Sequence, residues 1–126
     1  MDRSDRYTTG RKMLDEIHRG PGKQIMERMA GICPDFERLI TEFAYGDIYS
    51  RPGLDLRTRQ LCTIAALTAL GNGPRQLKAH INGALNLGIS REEVVEVIVQ
   101  MALYGGFQCA QNALLLAAEL FEEREQ

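Results

Sequence analysis

Apolar residues recur along this chain at the three- and four-residue spacings of helices, and the alternation of a half-buried strand is nearly absent. After a polar lead-in, Met13, Leu14 and Ile17 form a one-sided stripe that Gly20-Pro21-Gly22 breaks off. This reads as a peripheral N-terminal helix within residues 1–20. A second short stripe, Ile25, Met26 and Met29, runs from Lys23 to Ala30, with Gly31 where a left-handed cap would fall. Pro34 then opens a helix whose first turn carries Asp35 and Glu37 against the positive end of the dipole. At 100° per residue, Phe36, Leu39, Ile40, Phe43 and Ala44 share its core face. Glu42, Tyr45 and Tyr49 fall on the other side, the place for a subunit contact or a pocket wall.

The stretch Leu56–Gly88 organises the rest. Asp55 can cap a helix from Leu56 to about Leu70 that is apolar all round, with Leu56, Leu61, Ile64 and Leu67 on a bulky face and Cys62, Ala65, Ala66 and Ala69 on a small one. Arg57 and Gln60 sit inside the bulky sector, where a polar group without a partner costs on the order of 1–3 kcal/mol. Gly71 ends this helix and Pro74 begins the next, in which Leu77, Ile81, Ala84 and Leu85 define a buried arc that includes His80. Ser90 and Glu93 make a capping box, so a helix starts at Arg91 even though Val94–Val99 is rich in β-branched residues. Gly105-Gly106 interrupts the chain before a last helix from Phe107 to about Glu122. That helix is apolar in most directions, more than one small subunit can cover, which predicts a homo-oligomer.

Composition narrows the function classes. A chain of 126 residues is one domain, spanning 1–126. Its 15 basic and 17 acidic residues are dispersed and give a net charge of −2, so no basic face exists for nucleic acid. The glycine-rich pieces lack the spacing that cradles phosphates, and without strands there is no nucleotide-binding context. Cys33, Cys62 and Cys109 are odd in number and form no C-x-x-C pair, which argues against a disulfide framework and a zinc site and for a reducing, cytoplasmic compartment. The first ten residues are mostly polar or charged, and the longest apolar run, Ala113–Ala118, is too short for a bilayer, so neither a signal peptide nor a membrane association is expected.

His80 leads the candidates for chemistry. An imidazole on an apolar wall, with its pKa at or below the free value, can move a proton near neutral pH, or it can be a core group bonded to a backbone carbonyl. Gln60 could orient it and Arg57 could bind an anion, or both could bridge helices. Cys62 and Cys109 are either packing residues or thiols, Cys109 lying near a helix start where the dipole favours the thiolate. His18, on the peripheral helix, reads as solvated.

Several segments, taken in order, resemble the γ-carboxymuconolactone decarboxylase family. They are Phe43-Ala44-Tyr45-Gly46-Asp47, Leu54–Leu61 (LDLRTRQL), Ala65–Gly71 (AALTALG), Leu77–Gly88 (LKAHINGALNLG), Ser90–Val97 (SREEVVEV) and Gln100–Phe107 (QMALYGGF). The likeness covers about residues 30 to 120. It implies an all-α single-domain bundle of about six to seven helices, alkylhydroperoxidase D-like, assembling as a homo-oligomer, a trimer or hexamer. The family joins decarboxylases of aromatic-compound catabolism to thiol-dependent antioxidant proteins with peroxiredoxin-type activity. In the thiol branch, E-x-x-C-x-x-C-x-x-x-H would put its histidine at His80 and its cysteines at Gly73 and Gln76, neither of which can form a thiolate. Where many members have glutamate, this chain has Gln60, which cannot relay a proton at neutral pH.

The decarboxylase reading implies a small anionic substrate and no cofactor. A carboxylated unsaturated lactone loses carbon dioxide, its conjugated carbonyl absorbs the charge, and a proton returns. On that reading His80 is the acid, assisted by Gln60; Arg57 clamps a carboxylate; Tyr45 and Glu42 complete the substrate side. The alternatives are a single-cysteine antioxidant using Cys62 or Cys109, and a non-catalytic helical oligomer with a closed core at His80.

Overall fold

The structure is a computed structural model that describes residues 3–126, with side chains from Asp5 onward. The elements are α1 (Arg3–Ile17), α2 (Pro21–Ile32), α3 (Pro34–Leu39) running into a π-helical segment (Ile40–Tyr49), α4 (Leu56–Leu70), α5 (Pro74–Asn86), α6 (Arg91–Gly105) and α7 (Phe107–Glu125). Among the described residues there is no strand, and no helix is long and apolar enough to cross a membrane.

The punctuation falls where local chemistry places it. The Asp55 carboxylate accepts from the Thr58 amide at 2.7 Å, and Gly71 closes α4 in the left-handed region at φ 68°. Pro34 and Pro74 sit in the first turns of α3 and α5. Ser90 and Glu93 form the reciprocal capping box, both bonds at 3.1 Å. Gly31, in contrast, is no cap: α2 runs through it to Ile32, because the extended Cys33 followed by Pro34 is what stops the helix.

The buried apolar residues form two cores. One gathers Ile64, Leu77, Ile81, Val94, Ile98 and Leu120 from α4 to α7. Here the small face of α4 meets α6, where a Cβ on Gly105 would stand only 2.6 Å from the Ala69 Cα. The other core holds Leu14, Ile17, Met26 and Tyr45. The N-terminal helix is therefore not peripheral, since Leu14 and Ile17 are wholly buried. It lies so close to the π-helical segment that a Cβ on Gly10 would meet the Thr41 carbonyl oxygen, and one on Gly46 the Arg6 carbonyl oxygen at 2.6 Å.

From Pro34 onward the inward side is only in part the apolar stripe: Ile40 and Ala44 do pack against the second core. Leu39 and Phe43 are 55% and 60% exposed, whereas Thr41, Glu42, Tyr45 and Gly46 are buried. The wider turn of the π-helix aligns residues four and five apart, which brings 41, 42, 45 and 46 onto one side. The buried polar groups among them are matched from neighbouring elements. Tyr7 and Thr41 hydroxyls donate to Glu37 at 3.1 and 2.9 Å, Arg6 forks onto Asp47 at 3.0 and 2.7 Å, and Glu42 lies 3.6 Å from both Arg6 and Arg38.

Candidate functional site

Where α1, α4 and α5 converge, two histidines meet. Asn82 and Asn86, one turn apart on α5, donate to the Arg19 and Ile17 carbonyl oxygens at 3.0 and 2.9 Å, satisfying the end of α1. Arg124 of α7 in turn donates to both asparagine side-chain oxygens, at 2.5 and 3.2 Å. This clasp sets the His18 ring edge-on against His80, with centroids 4.9 Å apart. Gly83 makes the space, for a Cβ there would stand 2.6 Å from Ile17 Cγ2, 3.1 Å from Gln60 Nε2 and 3.4 Å from His18 Cε1.

His18, which its sequence context marks as solvated, is in fact 3% exposed. Its Nε2 shares a 2.7 Å hydrogen bond with the Tyr45 hydroxyl, while its Nδ1 is buried without a hydrogen-bond partner. Burial lowers its pKa to about 4. His80 is pushed further, to about 3, first by burial and then by His18 beside it. Both rings are neutral at pH 7. Tyr45 shifts the other way, raised by burial and then by Tyr49, so it keeps its proton.

On the α4 side, Gln60 is fully buried and its Nε2 donates to the His80 carbonyl oxygen at 2.7 Å and to His80 Nδ1 at 3.0 Å. The remainder of the His80 ring borders a cavity of about 200 Å³, lined also by His18, Tyr45, Gln76, Ile25, Met29 and Phe36. Its wall is apolar apart from two imidazoles, one phenol and one amide. Tyr45 is therefore a pocket wall rather than an outward-facing subunit contact, and Tyr49 stacks behind it, its hydroxyl bonded to Thr63. On the far side of Ile25, between α2 and α5, lies a second groove of about 510 Å³ carrying Arg28, Arg75 and Lys78, the last paired with Glu123 at 2.7 Å.

The structure thus brings His80, Gln60 and Tyr45 together and adds His18. It does not bring Arg57, whose guanidinium is half exposed and paired with Glu93 of α6. Glu42 faces away as well, toward Arg6 and Arg38. Neither proposed thiol joins the cavity. Cys62 is exposed, and Cys109 borders a separate recess beside Gly71, Gly73 and Leu77. Among the described residues no cluster of three or more His, Cys, Asp or Glu could hold a metal ion. His18 escaped the sequence reading because nothing in its own helix buries it. The available signal lay on α5, where Asn82 and Asn86 make a polar row one turn apart, away from His80, and need distant partners.

Known proteins are similar to this chain in sequence. The description Carboxymuconolactone decarboxylase family matches residues 34–119. The chain is 33% identical over 124 residues to a 4-carboxymuconolactone decarboxylase of Acinetobacter baylyi, covering 98% of this chain and 92% of that protein. It is 33% identical over 102 residues to an uncharacterized 15.0 kDa protein of Paracoccus denitrificans, covering 80% and 76% respectively. A nitrosuccinic acid decarboxylase of Metarhizium robertsii is 30% identical over 87 residues, 69% of this chain and 60% of that one. The match spans the elements that carry Tyr45, Gln60 and His80, and this chain belongs to the carboxymuconolactone decarboxylase family.

Proposed function

We propose that this protein is a cofactor-independent decarboxylase of a small carboxylated lactone or a related carboxylate activated by conjugation, working in the cavity at His80. The observation that carries the reading is that cavity itself, apolar, with two neutral imidazoles and a tyrosine hydroxyl in its wall. A closed core at His80, the mark of a non-catalytic oligomer, is not what the helices build. Two of the relatives are named as decarboxylases, of 4-carboxymuconolactone and of nitrosuccinic acid, and both names describe acids able to absorb the charge left by carbon dioxide.

The low polarity of the cavity favours the reaction. A carboxylate there is poorly solvated, and cleavage of its C–C bond spreads the charge through the conjugated system onto a carbonyl oxygen. His80 Nε2–H can donate to that developing oxyanion, as a neutral imidazole donor does elsewhere. Its proton then serves the dienolate carbon and is replaced from water, so each turnover takes up one solvent proton and releases one carbon dioxide. His80 remains the proton donor on this reading, starting from the neutral ring. Since Arg57 is engaged with Glu93, the remaining carboxylate is assigned to the Arg28, Arg75 and Lys78 groove next to the cavity.

Loss of carboxymuconolactone followed in the ultraviolet tests this directly. His80→Ala should lower kcat on the order of 10²-fold or more, and wild-type turnover by that variant would remove His80 from the chemistry. Arg75→Ala should raise KM about tenfold or more with kcat nearly unchanged, the signature of lost uniform binding. An unchanged KM moves the carboxylate site elsewhere.

A further inference from the structure

We infer that Gln60 is a positioning residue that fixes the tautomer of His80, leaving Nδ1 bare and the proton on Nε2, so that the cavity meets a permanent neutral donor. The inference rests on the proposed role of His80 and specifies the form in which that ring acts. It follows from one side-chain nitrogen having two neighbours. The His80 carbonyl oxygen can only accept, so the atom of Gln60 that stands 2.7 Å from it is the amide NH2. The same nitrogen is 3.0 Å from His80 Nδ1. With one hydrogen directed to each neighbour, Nδ1 is the acceptor and the ring proton belongs on Nε2. Turning the amide over would set Gln60 Oε1 against the carbonyl oxygen, two acceptors in contact. The observed orientation leaves Oε1 buried without a hydrogen-bond partner, and that is the lesser penalty, an absent bond rather than a repulsive one.

The surroundings hold the ring in this state. The titratable groups facing it are His18 from the end of α1 and Tyr45 from the π-helical segment, both neutral at pH 7, while α2 contributes Ile25, Met26 and Met29 and α4 contributes Gln60. Among the described residues no carboxylate lines the cavity to favour imidazolium. Protonating Nδ1 would turn two donors toward each other across the Gln60 contact. A glutamate at this position reverses the arrangement. Its carboxylate, turned away from the His80 carbonyl oxygen that would repel it, accepts from Nδ1–H, leaves Nε2 bare in the neutral ring and raises the ring's pKa. Gln60 therefore converts an acid–base histidine into a donor insensitive to pH.

Long-range proton–nitrogen correlation spectra of the full-length, 15N-histidine-labelled protein test this without substrate. Nε2 of His80 should be protonated and Nδ1 bare, unchanged from pH 5.5 to 8. A protonated Nδ1, a mixture of tautomers, or a ring that titrates in this range overturns the inference. Gln60→Glu should move the proton to Nδ1 and bring the ring's titration into the observed window. In the lactone assay it should lower kcat about 10²-fold with KM within about threefold, as a misplaced tautomer does. If Gln60→Glu does not fold, the wild-type spectrum alone decides. The expected spectrum together with a fully active His80→Ala would retain the tautomer and reject the part proposed for His80 in decarboxylation, so the two fail separately.

Discussion

Two neutral imidazoles packed edge to face set an acid limit on this fold. In the unfolded chain each histidine takes up a proton near pH 6.5, while in the folded chain His18 does so at about 4 and His80 at about 3. Between those values the unfolded state binds up to two more protons, so stability rises with pH across the window and is lost as the pH falls from 6.5 toward 4. Each histidine contributes a slope of up to about 1.4 kcal/mol per pH unit. Urea midpoints at pH 7.5, 6.5, 5.5 and 5.0 should decline below 6.5, and His18→Gln should flatten the decline by about half. A wild-type profile that is level from 6.5 to 5.0 contradicts the burial of both rings. At this scale the sequence was informative only where a residue's own helix decides its fate. His80 and Gln60 stand on buried arcs of their helices and were identified from spacing, whereas His18 is buried by groups on α5 more than sixty residues away. Arg57 has the spacing of an inward residue, but a long side chain carries its charge outward along the helix surface to Glu93.

At the level of elements, close backbone approach fixes the site more than side-chain size does. Gly83 is a point of close approach of α1, α4 and α5, and one added methyl group there would press on Ile17 and Gln60 and come into contact with the His18 ring. Gly83→Ala should cost about 1–3 kcal/mol by overpacking. It should also disturb Gln60, which touches His80, so activity in the lactone assay should fall more than tenfold even where the variant is fully folded at 25 °C. A variant with unchanged stability and kcat would show that the convergence is looser than these distances. The helices themselves were legible, because proline starts, glycine stops and the Ser90–Glu93 capping box are local signals. The inward face of the segment after Pro34 was not, since the wheel groups Glu42 with Tyr45 but does not say which side is inside, and the apolar count of Phe36, Leu39 and Phe43 outweighed the polar residues that are in fact buried. Glu37, Thr41 and Glu42 can be inside only because α1 brings Arg6 and Tyr7 to meet them, and an element's own sequence does not state its partners.

The whole molecule leaves a large apolar surface uncovered. Leu103, Tyr104 and Phe107, at the junction of α6 and α7, are each at least 75% exposed. Leu103 and Phe107, with Val99, Ala102, Leu114 and Leu115, border a groove of about 780 Å³ whose polar side chains, among the described residues, are Gln100 and Gln111. A contiguous apolar patch of this kind is rare on a soluble monomer. We infer that a second copy of this chain covers it, giving a homo-oligomer, with a trimer or hexamer as the expected assembly. Light scattering at micromolar concentration should then report a mass at least twice that of the 14.1 kDa chain. Phe107→Asp places a charge at the centre of the face and should shift the mass to that of the monomer. The His80 cavity, formed by α1, α2, α5 and the π-helical segment, lies on other elements. Residual decarboxylation by a Phe107→Asp monomer therefore distinguishes a site complete within one chain from one that needs its neighbour. A monomeric wild-type protein at that concentration would leave the groove without its occupant, and the apolar excess of α7 would then need another explanation.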